Sequence, residues 1–157
     1  MHPNEELIQK FYAAFQAHDA TRMCACYHPN VVFSDPVFGC LPASQATAMW
    51  HMLCARAKDL QINFKGIQAN AETGTAHWEA RYTFGKKSRP VHNVIDATFV
   101  FQENLIVQHD DTFDLWKWTR MALGSTGLLL GWTPWLQAAV RRDSWQGLEA
   151  FIQKQQG

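Results

Sequence analysis

A surplus of charge of either sign is what this sequence lacks. Fourteen Lys and Arg balance fourteen Asp and Glu over 157 residues, and charged residues reach only 18%. Nucleic-acid binding rests on clustered positive charge that releases counterions, so this balance argues against a nucleic-acid partner. Cysteine is sparse as well. Cys24 and Cys26 lie two apart, Cys40 and Cys54 stand alone, and no CxxC or zinc-like His spacing occurs. The pattern argues against a disulfide framework and a metal site. It predicts free, mostly buried thiols in a reducing, cytoplasmic setting. The opening MHPNEELIQK holds no apolar leader core. Rings, by contrast, are plentiful: seven Trp, ten Phe and three Tyr. Trp packs a large apolar area while its N–H still needs a partner, so a big core, a ring-lined cavity or an interface is implied. Composition does not choose among them.

Periodicity organises the chain. Leu7, Ile8, Phe11, Tyr12 and Phe15 share one helical face, which predicts a helix from Asn4 to about His18, capped by Asn4. A shorter helix over Ala20–Tyr27 stops at His28-Pro29-Asn30. Val31 to Asp35 reads as a strand ended by Pro36, residues 38–42 as a loop, and a third helix runs from Ala43 or Ser44 to about Lys58. From Leu60 the period becomes two. Strands are predicted from Gln61 to Asn70, through Ala76–Phe84, from Val91 to Phe101, and from Leu105 to about Trp118. Helices followed by a meander of strands is the α+β pattern in which a curved antiparallel sheet wraps around helices. Arg81, Lys86, Lys87 and Arg89 read as a solvated hairpin tip.

The tail differs. Met121 to Val140 carries no charge, but Gly124, Gly127, Gly131 and Pro134 interrupt it. Membrane contact is therefore not expected. Two or more short helices joined at residues 131–134 are predicted instead, with Thr133 capping and Pro134 first, and a last helix from Ser144 to Lys154.

Three segments carry a family resemblance: LIQKFYAAFQAHD at 7–19, VVFSDPVFG at 31–39, and ATFVFQENLIVQHDDTFDLW at 97–116. In order and spacing they resemble the NTF2-like superfamily, in particular its SnoaL-like branch, a group that includes ketosteroid isomerases and limonene-epoxide hydrolases. The resemblance covers roughly residues 5–118. It implies an α+β cone, with three N-terminal helices packed in a strongly bent antiparallel sheet, a pocket at the open end, and commonly a homodimer through the sheet. The chain divides into an NTF2-like domain, 1–118, and a C-terminal helical extension, 119–157, packing on the same domain or on a dimer partner.

Candidate site residues follow. Asp35 directly after its strand matches the proton-shuttling aspartate of the isomerases; an Asx turn is the alternative use of the same carboxylate. His109, Asp111 and Phe113 alternate onto one face of the last strand, where His109 and Asp111 can share a proton. Asp111 matches the acid–base position of SnoaL-like cyclases, against the alternative of a buried pair that merely satisfies itself. Without a β-bulge, Asp96 faces outward with His77, Glu79, Arg81 and His92.

Two departures limit what transfers. The isomerases' oxyanion-hole tyrosine aligns with Phe11, and Tyr12 lies about 100° round the helix. No Arg falls between Val91 and Phe101, where the epoxide hydrolases need one. Neither named activity carries over. Tyr12, Phe15, Phe38, Trp50, Trp78, Tyr82, Phe113 and Trp132 are the candidates for contacting a hydrophobic small molecule. The chain reads as a cofactor-free acid–base isomerase, cyclase or hydrolase, without metal or organic cofactor; the alternative is a non-catalytic ligand-binding or dimerisation module.

Overall fold

A computed structural model describes residues 1–56 and 58–156. Helix α1 (Pro3–Gln16) is capped by His2 rather than Asn4. The His2 ring accepts the Asn4 N–H at 3.0 Å, and Glu5 reaches back to the His2 N–H at 3.1 Å, a reciprocal capping box. Asn4 is buried and donates to the Asn70 carbonyl at 2.9 Å, which ties the helix to the sheet. Helix α2 (Ala20–Cys24) ends earlier than expected, because Tyr27 already belongs to strand β1 (Tyr27–Asp35) and pairs with Ile106. Residues 39–42 are not a loop. They form β2 (Gly39–Pro42), an edge strand paired from Val32↔Pro42 to Asp35↔Gly39. Helix α3 (Ala43–Arg56) follows, then β3 (Gln61–Ala69), β4 (Thr73–Phe84), β5 (Arg89–Gln102) and β6 (Leu105–Thr112).

The six strands form one curled, unclosed sheet in the order β2-β1-β6-β5-β4-β3. Every pair is antiparallel except β1–β6, which is parallel. Along β5, Val91, Asn93, Ile95, Ala97, Phe99 and Phe101 are buried, while Val94, Asp96 and Thr98 are exposed. The inner row packs against Ile8, Phe11, Tyr12 and Phe15 of α1, all of them core. Asp96 faces outward, as its register requires, and contacts His77 at 2.9 Å. Beside it, Glu79 bridges His77 at 3.5 Å and His92 at 2.5 Å. Arg89 leaves the solvated tip and donates to the Met121 carbonyl at 2.9 Å.

All four cysteines are free: Cys26 is buried, Cys24 and Cys54 are half-buried, and Cys40 on the edge strand is exposed. Burial pushes the Cys24 and Cys54 thiols up to about 11, which keeps them unreactive at neutral pH.

The last strand stops at Thr112 instead of running to Trp118. Asp114 accepts the Lys117 N–H at 3.1 Å and starts α4 (Leu115–Leu123), whose buried Leu115, Trp118, Thr119 and Ala122 recur at helical spacing. The boundary expected at residue 118 thus falls inside a helix. Helix α5 (Ser125–Leu130) follows. Thr133 then accepts the Leu136 N–H and Pro134 opens α6 as expected, but α6 (Pro134–Gln156) is one helix of 23 residues rather than separate pieces. It is held by buried Leu136 in its first turn and buried Leu148 past its middle.

Gly127 and Gly131 press α5 onto α4. A Cβ on Gly127 would collide with the Thr119 carbonyl, and one on Gly131 with the Thr119 hydroxyl. Gly131→Ala should therefore cost about 1–3 kcal/mol through overpacking. Gly147→Ala, whose Cβ would meet only Arg56 Nη1 at 3.4 Å, should be neutral or mildly stabilising when both variants are unfolded in urea. Equal effects at the two glycines would contradict this packing.

Candidate active site

The cone holds a cavity of about 380 Å³, and the parallel β1–β6 pair brings two carboxyl groups to its wall. Ser34 lies opposite Asp110 in the register, so the next residue on each strand, Asp35 and Asp111, comes to the same place. Both line the cavity. Asp35 also makes the Asx turn: one carboxylate oxygen, Oδ1, accepts the Val37 N–H at 2.9 Å and the Phe38 N–H at 2.6 Å. The two readings of Asp35 are therefore compatible, with one oxygen fixing the turn and the other left for the cavity. Burial pushes the Asp35 carboxyl up to about 6, the nearby Asp111 charge adds to that rise, and the two backbone donors oppose it.

Asp111 has only 4% of its side chain exposed. Its Oδ1 accepts from His109 Nε2 at 2.9 Å and from Trp78 Nε1 at 3.3 Å. His109 is fully buried and contacts the Tyr27 hydroxyl through Nδ1 at 2.8 Å, and that hydroxyl accepts the Trp50 N–H at 2.9 Å. Trp Nε1 only donates and a carboxylate only accepts, so the chain has one self-consistent direction. Trp50 donates to Tyr27, Tyr27 to Nδ1, and Nε2–H to Asp111. The tautomer assigned by this network carries its proton on Nε2.

Each expected site residue has a definite place. Phe15, Phe38, Trp50, Trp78, Tyr82 and Phe113 line the cavity. His109 does not. It points inward as the alternation predicts but sits behind the wall, with the Phe99 and Phe33 ring centres 4.5 and 5.1 Å from its own. Tyr12 is also off the wall, because its turn round α1 aims it at Phe64, 5.5 Å between ring centres. Its hydroxyl is buried without a partner among the described residues. Trp132 is 62% exposed on the turn between α5 and α6, where its N–H closes onto the Leu129 carbonyl at 3.1 Å. It does not reach the cavity.

Sequence reasoning missed Asn93, Arg56, Asp143 and Ser144, which also line the cavity. Asn93 was findable, since it is the one polar residue on the inward parity of β5 from Val91 to Phe101. The other three had no local signal. Asp143 and Ser144 arrive on α6, which two bonds fasten to the loop after Asp35. Trp145 Nε1 donates to the Phe38 carbonyl at 2.9 Å, and Arg141 Nε donates to the Pro36 carbonyl at 2.9 Å.

The arrangement is suited to moving protons. A carboxyl pushed up to about 6 shares one largely apolar space with Asp111, whose Oδ1 is fixed by two N–H donors, so Asp35 can take up and release a proton just below neutral pH.

The SnoaL-like domain family model matches residues 8–109. No curated protein matches the chain in sequence. Solved structures do. An NTF2-like protein of unknown function from Burkholderia pseudomallei aligns with a TM-score of 0.67 and 17% identity, over 77% of this chain and 98% of that one. A putative SnoaL-like polyketide cyclase from Jannaschia sp. aligns with a TM-score of 0.67 and 9% identity, over 78% and 92%. An epoxide hydrolase of the LEH-like kind from M. tuberculosis aligns with a TM-score of 0.63 and 16% identity, over 82% and 96%. Identities this low speak for the fold alone, whereas the family model spans more than half of the chain. With the curled sheet and its enclosed helices, that match makes this chain a member of the SnoaL-like family.

Proposed function

We propose that the cavity is the acid–base site of a cofactor-free isomerase, cyclase or hydrolase acting on a hydrophobic small molecule. The observation that carries this reading is the convergence of Asp35 and Asp111 on one ring-lined space. Asp111 is the proton acceptor, its carboxyl group held in direction by the Nε2–H of His109. Asp35, which keeps its proton to about pH 6, is the partner that returns one. Phe38, Trp50, Trp78 and Phe113 hold the apolar body of the substrate, and Asn93 offers a neutral hydrogen bond to a carbonyl or hydroxyl. The same reading places the protein in the cytoplasm, where its four thiols stay reduced, as a homodimer joined through the outer sheet face. A sedimentation-velocity run that finds only monomer removes the dimer.

The test begins with native mass spectrometry of protein from its host, to identify a retained small molecule. That molecule is then incubated in D₂O with wild type and with Asp111→Asn, which keeps the fold's hydrogen bonds but removes the base. Wild type should convert the molecule or exchange its acidic C–H, and the variant should be slower by at least about a hundredfold. A retained molecule that wild type leaves unconverted and free of deuterium would make the protein a binding module instead.

A further inference from the structure

The C-terminal extension carries a surface that the cavity does not use. Leu128, Leu129, Trp132 and Trp135 are 53, 68, 62 and 71% exposed, and Trp116 joins them at 37%. They form one patch around α5, since Trp116 Nε1 donates to the Leu128 carbonyl at 3.4 Å and Trp132 to that of Leu129. Single exposed apolar side chains are ordinary; a contiguous group this large marks a contact surface. The exposure is also built in. With Gly127 and Gly131 jammed against Thr119, α5 has no freedom to roll its leucines inward.

Charge selects the partner. From residue 115 to 142 the chain carries Lys117, Arg120, Arg141 and Arg142 and no Asp or Glu, which leaves ten basic against fourteen acidic residues elsewhere. Arg120 sits over the Trp116 ring, 4.7 Å from its centre, so a cation borders the patch directly. A two-fold contact with a second copy would bring these like charges together. An anionic surface would meet them with opposite charge. Leucine and tryptophan at a tip flanked by cations are the composition of an interfacial anchor. No described helix is long and apolar enough to cross a membrane, so the contact is superficial.

We propose that α5 and the turn into α6 dock the protein on an anionic phospholipid bilayer. Leu128, Leu129, Trp132 and Trp135 enter the headgroup boundary, while Lys117, Arg120 and Arg142 face the phosphates. This reverses the expectation from sequence. The glycines and the proline that interrupt the uncharged stretch rule out a span, and they are also what turns its apolar residues outward.

Co-sedimentation of the full chain with vesicles tests the proposal. Wild type should pellet with phosphatidylcholine–phosphatidylglycerol vesicles at low salt, and stay in solution with phosphatidylcholine alone or at high salt. Its tryptophan emission should shift to the blue on binding. Trp132→Ser/Trp135→Ser should lower the bound fraction at least tenfold while melting like wild type. Should that pair fail to fold, Leu129→Ser carries the same expectation. Wild type that never pellets with anionic vesicles, or variants that pellet as it does, would overturn the proposal. So would a wild-type dimer that these variants convert to monomer, which would give the patch to a second copy. Vesicle binding does not depend on Asp35 or Asp111, so it stands or falls apart from the cavity's chemistry.

Discussion

Asp35→Asn should make the protein more stable at pH 8, by about 2–3 kcal/mol, and change little at pH 4. The sign follows from the raised carboxyl. In the unfolded chain Asp35 titrates near 3.8, and in the fold burial moves it to about 6. Below pH 4 both states hold the proton and the residue is neutral to stability. Between 4 and 6 the unfolded chain releases it while the fold retains it, so stability falls as pH rises. Above 6 the fold carries a charge that it disfavours, and the penalty is complete. Asparagine keeps the oxygen that accepts the Val37 and Phe38 N–H groups, so the turn survives while the charge is gone. Urea unfolding of both proteins at the two pH values checks this, and the same difference at both would sink it. A residue retained at a cost to stability is what a functional site leads one to expect.

The opposite outcome is expected at His109. His109→Leu should lower stability by about 3–5 kcal/mol and the melting temperature by about 10 °C or more. Three losses add. The Tyr27 hydroxyl loses its acceptor in a dry interior, and Asp111 loses one of its two donors. The imidazole also leaves its place among Phe11, Phe33, Phe99 and Trp50, where it stacks on Trp50 at 15°. Tyr27→Phe keeps the ring but leaves the buried Trp50 N–H without an acceptor and His109 Nδ1 without a donor, and should cost about 2–3 kcal/mol. Thermal melts of both variants should therefore rank His109→Leu below Tyr27→Phe. A reversed order would mean that the chain does not run through the imidazole.

How far the sequence could be read depended on how local each decision was. Helix α1 and strands β4 and β5 are legible because one apolar period runs unbroken along each, and that period also turns Asp96 outward. Strand β2 has four residues, with Pro36 in the turn before it and Pro42 as its last residue, and only pairing with β1 makes it a strand. The stretch after Thr112 alternates like a strand and also repeats like a helix; the Asp114 cap decides for α4. At the site, Asp35 and Asp111 were identifiable from family resemblance. Tyr27 was not, because its bond to His109 joins residues 82 positions apart. The same holds for Asp143 and Ser144, whose place at the cavity depends on a helix that packs from beyond the sheet.

The position of β1 sets an order of events. It pairs with β2 beside it in sequence and with β6, and about seventy residues separate Asp35 from Leu105. The β3–β4–β5 meander closes through short turns, but β1 has no partner on its second edge until β6 exists. Non-local pairings of this kind pay their loop-closure entropy first and form slowly. On the ribosome, the first third of the chain therefore waits for residue 112 before the sheet can join. That joining step is also the one that brings Asp35 beside Asp111, so a half-made chain has no paired carboxylates, and the pair is completed only with the last strand.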